Sequence, residues 1–229
     1  MKMKMKMFAA LIAGATLLPL TVSAASDVDK RLQSAAQAFK EVMDMPDKAI
    51  PQDLLNKAEC IVIVPDLKKG AFIVGGKYGK GFVTCRKKDN VGWTAPGAIR
   101  IEGGSVGFQI GGSEMDVFML VMNDKGMDRL LGDKFTLGGD ATVAAGPVGR
   151  VAQAETDARM TAEILAYSRA RGLFAGIALN GATLREDSDW NIDMYGKALK
   201  NREIIDGSVA PPKAAATLLS ELDRYSSRK

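Results

Sequence analysis

Residues 60–86 read CIVIVPDLKKGAFIVGGKYGKGFVTCR. Three short runs rich in β-branched and aromatic residues, CIVIV, AFIVGG and KGFVTCR, are separated by turn signals at Pro65–Lys69 and at Lys77-Tyr78-Gly79, which predicts an up-down-up β-meander. Gly75, Gly76, Gly79 and Gly81 fall in or beside these strands, and Gly103, Gly104, Gly107, Gly111 and Gly112 follow. Glycine within a strand marks bulges, sharp coiling or close backbone approach, so the sheet is expected to curl.

The same pattern continues outward on the C-terminal side. AIRI, SVGFQIGG, MDVFMLVM, KFTLGG, ATVAAG, EILAYS, LFAGIAL and ATLRE read as further strands, with one helical interlude over Asp124–Leu131. On the N-terminal side, Ser26 or Asp27 caps a helix whose apolar residues Val28, Leu32, Ala35, Phe39 and Val42 recur at helical spacing until Pro46. Pro51 opens a short second helix through Lys57, and Pro211-Pro212 open a last one that buries Ala215, Leu218, Leu219, Leu222 and Tyr225. The expected fold class is α+β: a curled, glycine-rich antiparallel β-sheet or barrel covered by N- and C-terminal helices.

Lys2, Lys4 and Lys6 precede an apolar run from Met7 to Leu20 and the small residues Val22-Ser23-Ala24-Ala25, the layout of a cleavable secretory signal peptide over residues 1–24. That run is short for a bilayer span of roughly 20 residues. The expectation is an exported, periplasmic protein with one domain over residues 25–229. Of 31 basic and 27 acidic residues, the leader takes three lysines, so the mature chain is close to neutral. Nucleic-acid binding lacks the basic footprint it needs.

Motifs for chemistry fail at their functional residues. From Gly70, a phosphate-binding Walker loop requires lysine where Gly76 stands, and Gly79-Lys80-Gly81 lacks the third glycine and the strand-to-helix context of a dinucleotide site. Gly103-Gly104-Ser105-Val106-Gly107 matches a nucleophile elbow, but the chain has no histidine to act as its base. Asp187-Ser188-Asp189 resembles the start of a calcium loop, yet Ile192 and Ala198 occupy the turn and bidentate positions, and a helix cap near Asp187 accounts for the acids. No catalytic residue, metal, nucleotide or cofactor is expected.

In the meander, Lys68 and Lys69 follow the first strand and Arg86, Lys87 and Lys88 the third, so these five should gather at one end. Lys77 and Lys80 flank the other turn, which Tyr78 tips. All eight are candidate contacts for anionic lipid headgroups. The same geometry sets Cys60 and Cys85 at opposite ends of the meander, beyond the roughly 7 Å a disulfide spans. They bridge only if the first strand leaves the meander; otherwise they are two small buried thiols.

AECIVIVPDLKKGAFIVGGKYGKGFVTCR, WTAPGAIRIEGGSVGFQIGGSEMDVFMLVMNDKGMDRLL, KFTLGGDATVAAGPVGR and AYSRARGLFAGIALNGATL with its later MYG closely resemble, in that order, the SYLF domain family of bacterial exported proteins, yeast actin-patch proteins and plant FYVE-domain proteins. The resemblance implies a non-catalytic lipid-binding module. In eukaryotic members it implies phosphoinositide affinity and actin association; in an exported chain the transferable part is affinity for membrane phospholipid. It places bilayer contact on an N-terminal amphipathic segment, here Val28 to Met43, and on the meander lysines. The alternative function is a structural or protein-partner-binding module of the cell envelope.

Overall fold

The computed structural model describes residues 25–226 other than 73, 90, 107–110 and 150–161. The leader expected over residues 1–24 lies outside them. Helix α1, Asp27–Met43, starts at Ser26, whose hydroxyl accepts from the Asp29 amide while Asp29 accepts from the Ser26 amide, a reciprocal cap that satisfies two otherwise orphaned donors. Helix α2, Gln52–Lys57, follows Pro51. The chain then forms β1 (Cys60–Phe72), β2 (Val74–Cys85), β3 (Gly97–Val106), β4 (Gly111–Val121), helix α3 (Asp124–Leu130), β5 (Lys134–Thr136), β6 (Val143–Ala145), β7 (Ile164–Ala170), β8 (Leu173–Gly176) and β9 (Thr183–Glu186). Helices α4 (Ser188–Tyr195) and α5 (Asn201–Ile205) precede a 3-10 turn at Lys213–Ala215 that leads into α6, Ala216–Ser226. The last helix thus begins later than Pro211-Pro212 suggest; of its expected core residues, Leu219 and Tyr225 are half-buried.

One sheet carries the strands in the order β5-β9-β3-β2-β1-β4-β7-β6, with β8 beside β7. Every pairing is antiparallel except β6 with β7. β9 lies four strands from β4, yet Leu184 and Val117 share one buried cluster, so the sheet curls over its inner face. Among the described residues it ends at β5 and β6 and stays an open half-barrel. Ile61 and Ile63 of β1 pack toward α1 and α6 with Phe39, Leu32 and Leu218, while Val62 and Val64 point into the curl with Val83 and Ile99. Burial on both faces explains why CIVIV is continuously apolar rather than alternating.

The meander is replaced by a single long hairpin. β1 runs on through Pro65 and Asp66 by a bulge: the register with β2 slips between Ile63 and Lys68, and with β4 between Val64 and Leu67. Proline donates no hydrogen bond, which a bulge tolerates, and Asp66 takes φ 50° there, so a sequence with the chemistry of a turn bends the strand without ending it. Asp116 accepts from the Asp66 amide at 3.1 Å, and Arg31 of α1 reaches the Pro65 carbonyl at 2.9 Å. Gly81 passes so close to the bulge that a Cβ would fall 2.1 Å from the Ile63 carbonyl oxygen. SVGFQIGG likewise is not one strand: Ser105-Val106 close β3, Gly111-Gly112 open β4, and residues 107–110 between them lie outside the described residues.

Because β1 and β2 are antiparallel over their full length, Cys60 stands opposite Cys85, and a disulfide joins them. The separation expected from a meander is overturned by the missing middle turn.

Candidate functional site

The long hairpin also separates the basic residues expected together. Lys68 pairs in register with Tyr78 and Lys69 with Lys77, toward the free end of the hairpin, whereas Arg86 follows Cys85 at its base. Arg86 lies nine residue steps along the chain from Lys77, roughly 30 Å at about 3.3 Å per residue.

Arg86 is a structural residue. It is buried, stacks at 3.9 Å on the Trp93 ring, donates to the Leu55 carbonyl at 3.0 Å and donates to both the carbonyl and the hydroxyl of Ser226. It ties α2, α6 and the end of β2 together, which removes it as a headgroup ligand. Lys87 and Lys88 are exposed at this same base, Lys87 beside a hollow of about 330 Å³ that also contains Trp93 and Asp223. Lys80 is neutralised: it bonds the buried Asp187 at 2.7 Å and lies 4.4 Å from the Trp190 ring centre. Asp187 also accepts from the Trp190 amide, so the Asp187 acid caps α4.

Lys68, Lys69, Lys77 and Tyr78 remain at the free end, and the structure adds Arg171, which no pattern in the sequence had singled out. The β7–β8 turn, Arg171-Gly172, has φ 49° and 78°, and β7 pairs with β4, so this turn lies beside the β1 lysines. A groove of about 550 Å³ is lined by Lys68, Lys69, Gly70, Ser113, Glu114 and Arg171. Lys68 is 3.8 Å from Glu114, both well exposed; among the described residues no ion pair forms to Lys69, Lys77 or Arg171. Lys69 and Lys77 are half-buried and directly opposite each other, an arrangement that costs stability in water. Partial burial, then the Lys69 charge, hold the Lys77 ammonium below the ordinary lysine range. Tyr78 is 49% exposed beside them.

An adjoining hollow of about 190 Å³ has mixed sign, with Asp66, Glu114 and Asp116 facing Arg169 and Arg171. Arg169 bonds Asp116 at 2.6 Å and also reaches Glu41 of α1. Burial raises the Asp116 carboxyl above the usual range despite these contacts.

The apolar face of α1 is not offered to a bilayer: Val28, Leu32, Phe39 and Val42 are buried against the sheet and α6. Gly103 and Gly104 lie within β3 rather than on a strand-to-helix turn, so the elbow resemblance has no structural counterpart. Among the described residues no group of three or more Cys, Asp or Glu side chains converges as a metal cage would.

The model of the Ysc84 family, described as Las17-binding protein actin regulator, matches residues 102–225. The chain belongs to the SYLF, or Ysc84, family. The SH3 domain-containing YSC84-like protein 1 of Homo sapiens is 32% identical over 209 residues, covering 89% of this chain and 60% of the relative. LAS seventeen-binding protein 3 of Saccharomyces cerevisiae is 34% identical over 181 residues, 77% of this chain and 39% of the relative. An SH3 domain-containing protein of Schizosaccharomyces pombe is 37% identical over 180 residues, 77% and 41%. The chain spans about three fifths of the human relative and about two fifths of the yeast ones. What is shared is therefore the SYLF portion, and it includes both strands of the hairpin and the groove beside it.

Proposed function

We propose that this SYLF chain is a non-catalytic binding module whose hairpin end engages anionic phospholipid headgroups. The observation that carries the reading is the Lys69–Lys77 pair: two half-buried cations held against each other without an acidic partner among the described residues, with Arg171 nearby. A phosphate placed between them relieves a repulsion the fold otherwise bears. No described helix is long and apolar enough to cross a membrane, which fits contact from one side. The Cys60–Cys85 disulfide supports export to an oxidising compartment such as the periplasm, in line with the leader-like N-terminus. N-terminal sequencing of protein isolated from the cell, expected to start near Ala25, checks that part.

Cosedimentation with vesicles of phosphatidylglycerol and phosphatidylcholine tests the headgroup reading. K69E/K77E is expected to weaken binding to the anionic vesicles at least tenfold while thermal unfolding stays cooperative; wild-type protein that ignores these vesicles at low salt sinks the reading.

A second reading, a protein partner in the cell envelope, has its own support. The comparisons favour it more directly than lipid, since the yeast relative is named for binding another protein. The mixed signs of the Asp66–Asp116–Arg169–Arg171 hollow also suit a protein surface better than a uniformly anionic one. In that case D66K and E114K disrupt complex formation in detergent-solubilised envelope extract, and vesicle composition has no effect.

A further inference from the structure

At the base of the hairpin, three segments distant in sequence enclose the hollow of about 330 Å³ beside Lys87. The β2–β3 connection supplies Lys87 and Trp93, the chain between α5 and the 3-10 turn supplies Val209 and Pro211, and α6 supplies Leu219 and Asp223. Trp93 is only 3% exposed, Val209 and Leu219 are half-buried, and Lys87 and Asp223 stand exposed at the rim, so an apolar bed lies beneath two opposite charges. The bed is fixed in place. Arg86 stacks on Trp93 and bonds Ser226 of α6, while the Thr94 amide donates to the Cys85 carbonyl at 2.8 Å and the Cys85 amide to the Thr94 hydroxyl at 3.1 Å. Gly92, at φ 77°, passes beside both charges: a Cβ there would lie 3.4 Å from Asp223 Oδ1 and 3.7 Å from Lys87 Nζ. Although both approach that one point, among the described residues neither forms an ion pair, with each other or with a third group. The indole N–H of Trp93 likewise meets no acceptor among the described residues.

We propose that this hollow binds a free apolar α-amino acid of the size of leucine, its carboxylate on Lys87, its ammonium on Asp223 and its side chain on the bed of Trp93, Val209 and Leu219. The inference is independent of headgroup contact, which belongs to the other end of the hairpin. Two opposite charges held apart at one rim are complementary to a ligand that carries both signs; an anion or a cation alone gains from one and is repelled by the other. An α-amino acid bears its ammonium and its carboxylate on adjoining atoms, and charge-assisted bonds of about 2.7–2.9 Å on either side let it span the gap. The hollow sits at the small end of ligand sites, roughly 300–1,000 Å³, where a single amino acid fits. A buried donor without an acceptor, as on Trp93, favours a ligand that brings one.

The test titrates the isotope-labelled mature chain, residues 25–229, with L-leucine and follows the indole N–H signals of its two tryptophans by nuclear magnetic resonance, with W190F to assign them. Trp190 is packed on Phe82 outside the hollow and serves as the internal control. The expected result is a saturable shift of the Trp93 signal alone, with leucine bound roughly tenfold or more tighter than glycine, the worth of burying its side chain. Isocaproate and isoamylamine, which keep the side chain and one charge each, should bind roughly tenfold more weakly than leucine. K87M and D223N should each weaken leucine binding to a similar degree at an unchanged unfolding temperature, since both residues are exposed. The ligand series is read on the unaltered protein, so it decides the matter whatever the variants do to the fold. The proposal is overturned by a Trp93 signal that stays in place with leucine at tens of millimolar. It is equally overturned if glycine or the uncharged N-acetyl-L-leucine methylamide binds as tightly as leucine, or if K87M and D223N bind it as wild type does.

Discussion

Lys77 carries its charge in surroundings that oppose it. Burial and the facing Lys69 both lower its proton affinity, so replacing it should relieve the fold. K77M is expected to raise stability by about 0.2–1 kcal/mol, the range of a cross-strand charge pair, and to weaken anionic vesicle binding in the same preparation. Chemical denaturation and cosedimentation read the two effects; a K77M protein that is less stable and binds normally would show the pair to be structural. Arg86 is the contrasting case. Its guanidinium serves the carbonyls of Leu55 and Ser226, which R86M would leave buried without a donor, so a loss of about 2–4 kcal/mol is expected by denaturation. Both residues looked alike in the sequence, as basic residues bordering a strand. Their difference depends on where each strand ends and which distant carbonyls arrive there, and neither is written in the local pattern.

At the scale of elements, caps and periodicity were legible and long-range pairing was not. The Ser26 cap with the apolar spacing from Val28 to Val42, and the helical interlude over Asp124–Leu131, match the observed helix bounds within a residue or two. They are local signals, each complete within a few residues. The extent of β1 depends instead on β4, some fifty residues later, whose Asp116 holds the bulge amide of Asp66. Without that partner Pro65-Asp66 reads as a turn, the hairpin becomes a meander, and the lysines and cysteines are misplaced together. Two glycines of β2 test the bulge. G81A drives a methyl into the Ile63 carbonyl and is expected to destabilise by more than about 2 kcal/mol, whereas G76A meets open space and should be neutral or gain up to about 1 kcal/mol from reduced backbone freedom in the unfolded chain. Equal effects in thermal unfolding would mean that β2 does not press on the bulge.

Across the whole molecule, the two ends of the hairpin divide the labour. The base is locked by the disulfide, by Arg86 and by α6; at the free end Lys69, Lys77 and Arg171 form no ion pair among the described residues. Half-buried cations that face each other without an acidic partner among the described residues make the free end the favoured place for an anion. K87E/K88E, at the base, should leave vesicle binding unchanged, and added salt should weaken it, because exposed charges are screened over about 8 Å at physiological ionic strength. The pH dependence follows from Lys77. In the free protein its proton affinity lies below that of an ordinary lysine, and a bound phosphate raises it again. Between the two values the bound protein holds more protons than the free one, so affinity falls as pH rises through that window, which opens below the ordinary lysine value of 10.5. Vesicle titrations from neutral pH to the alkaline side should show this decline in wild type and a much shallower one in K77M. A decline of the same size in both would assign the titration to another group and remove Lys77 from the contact.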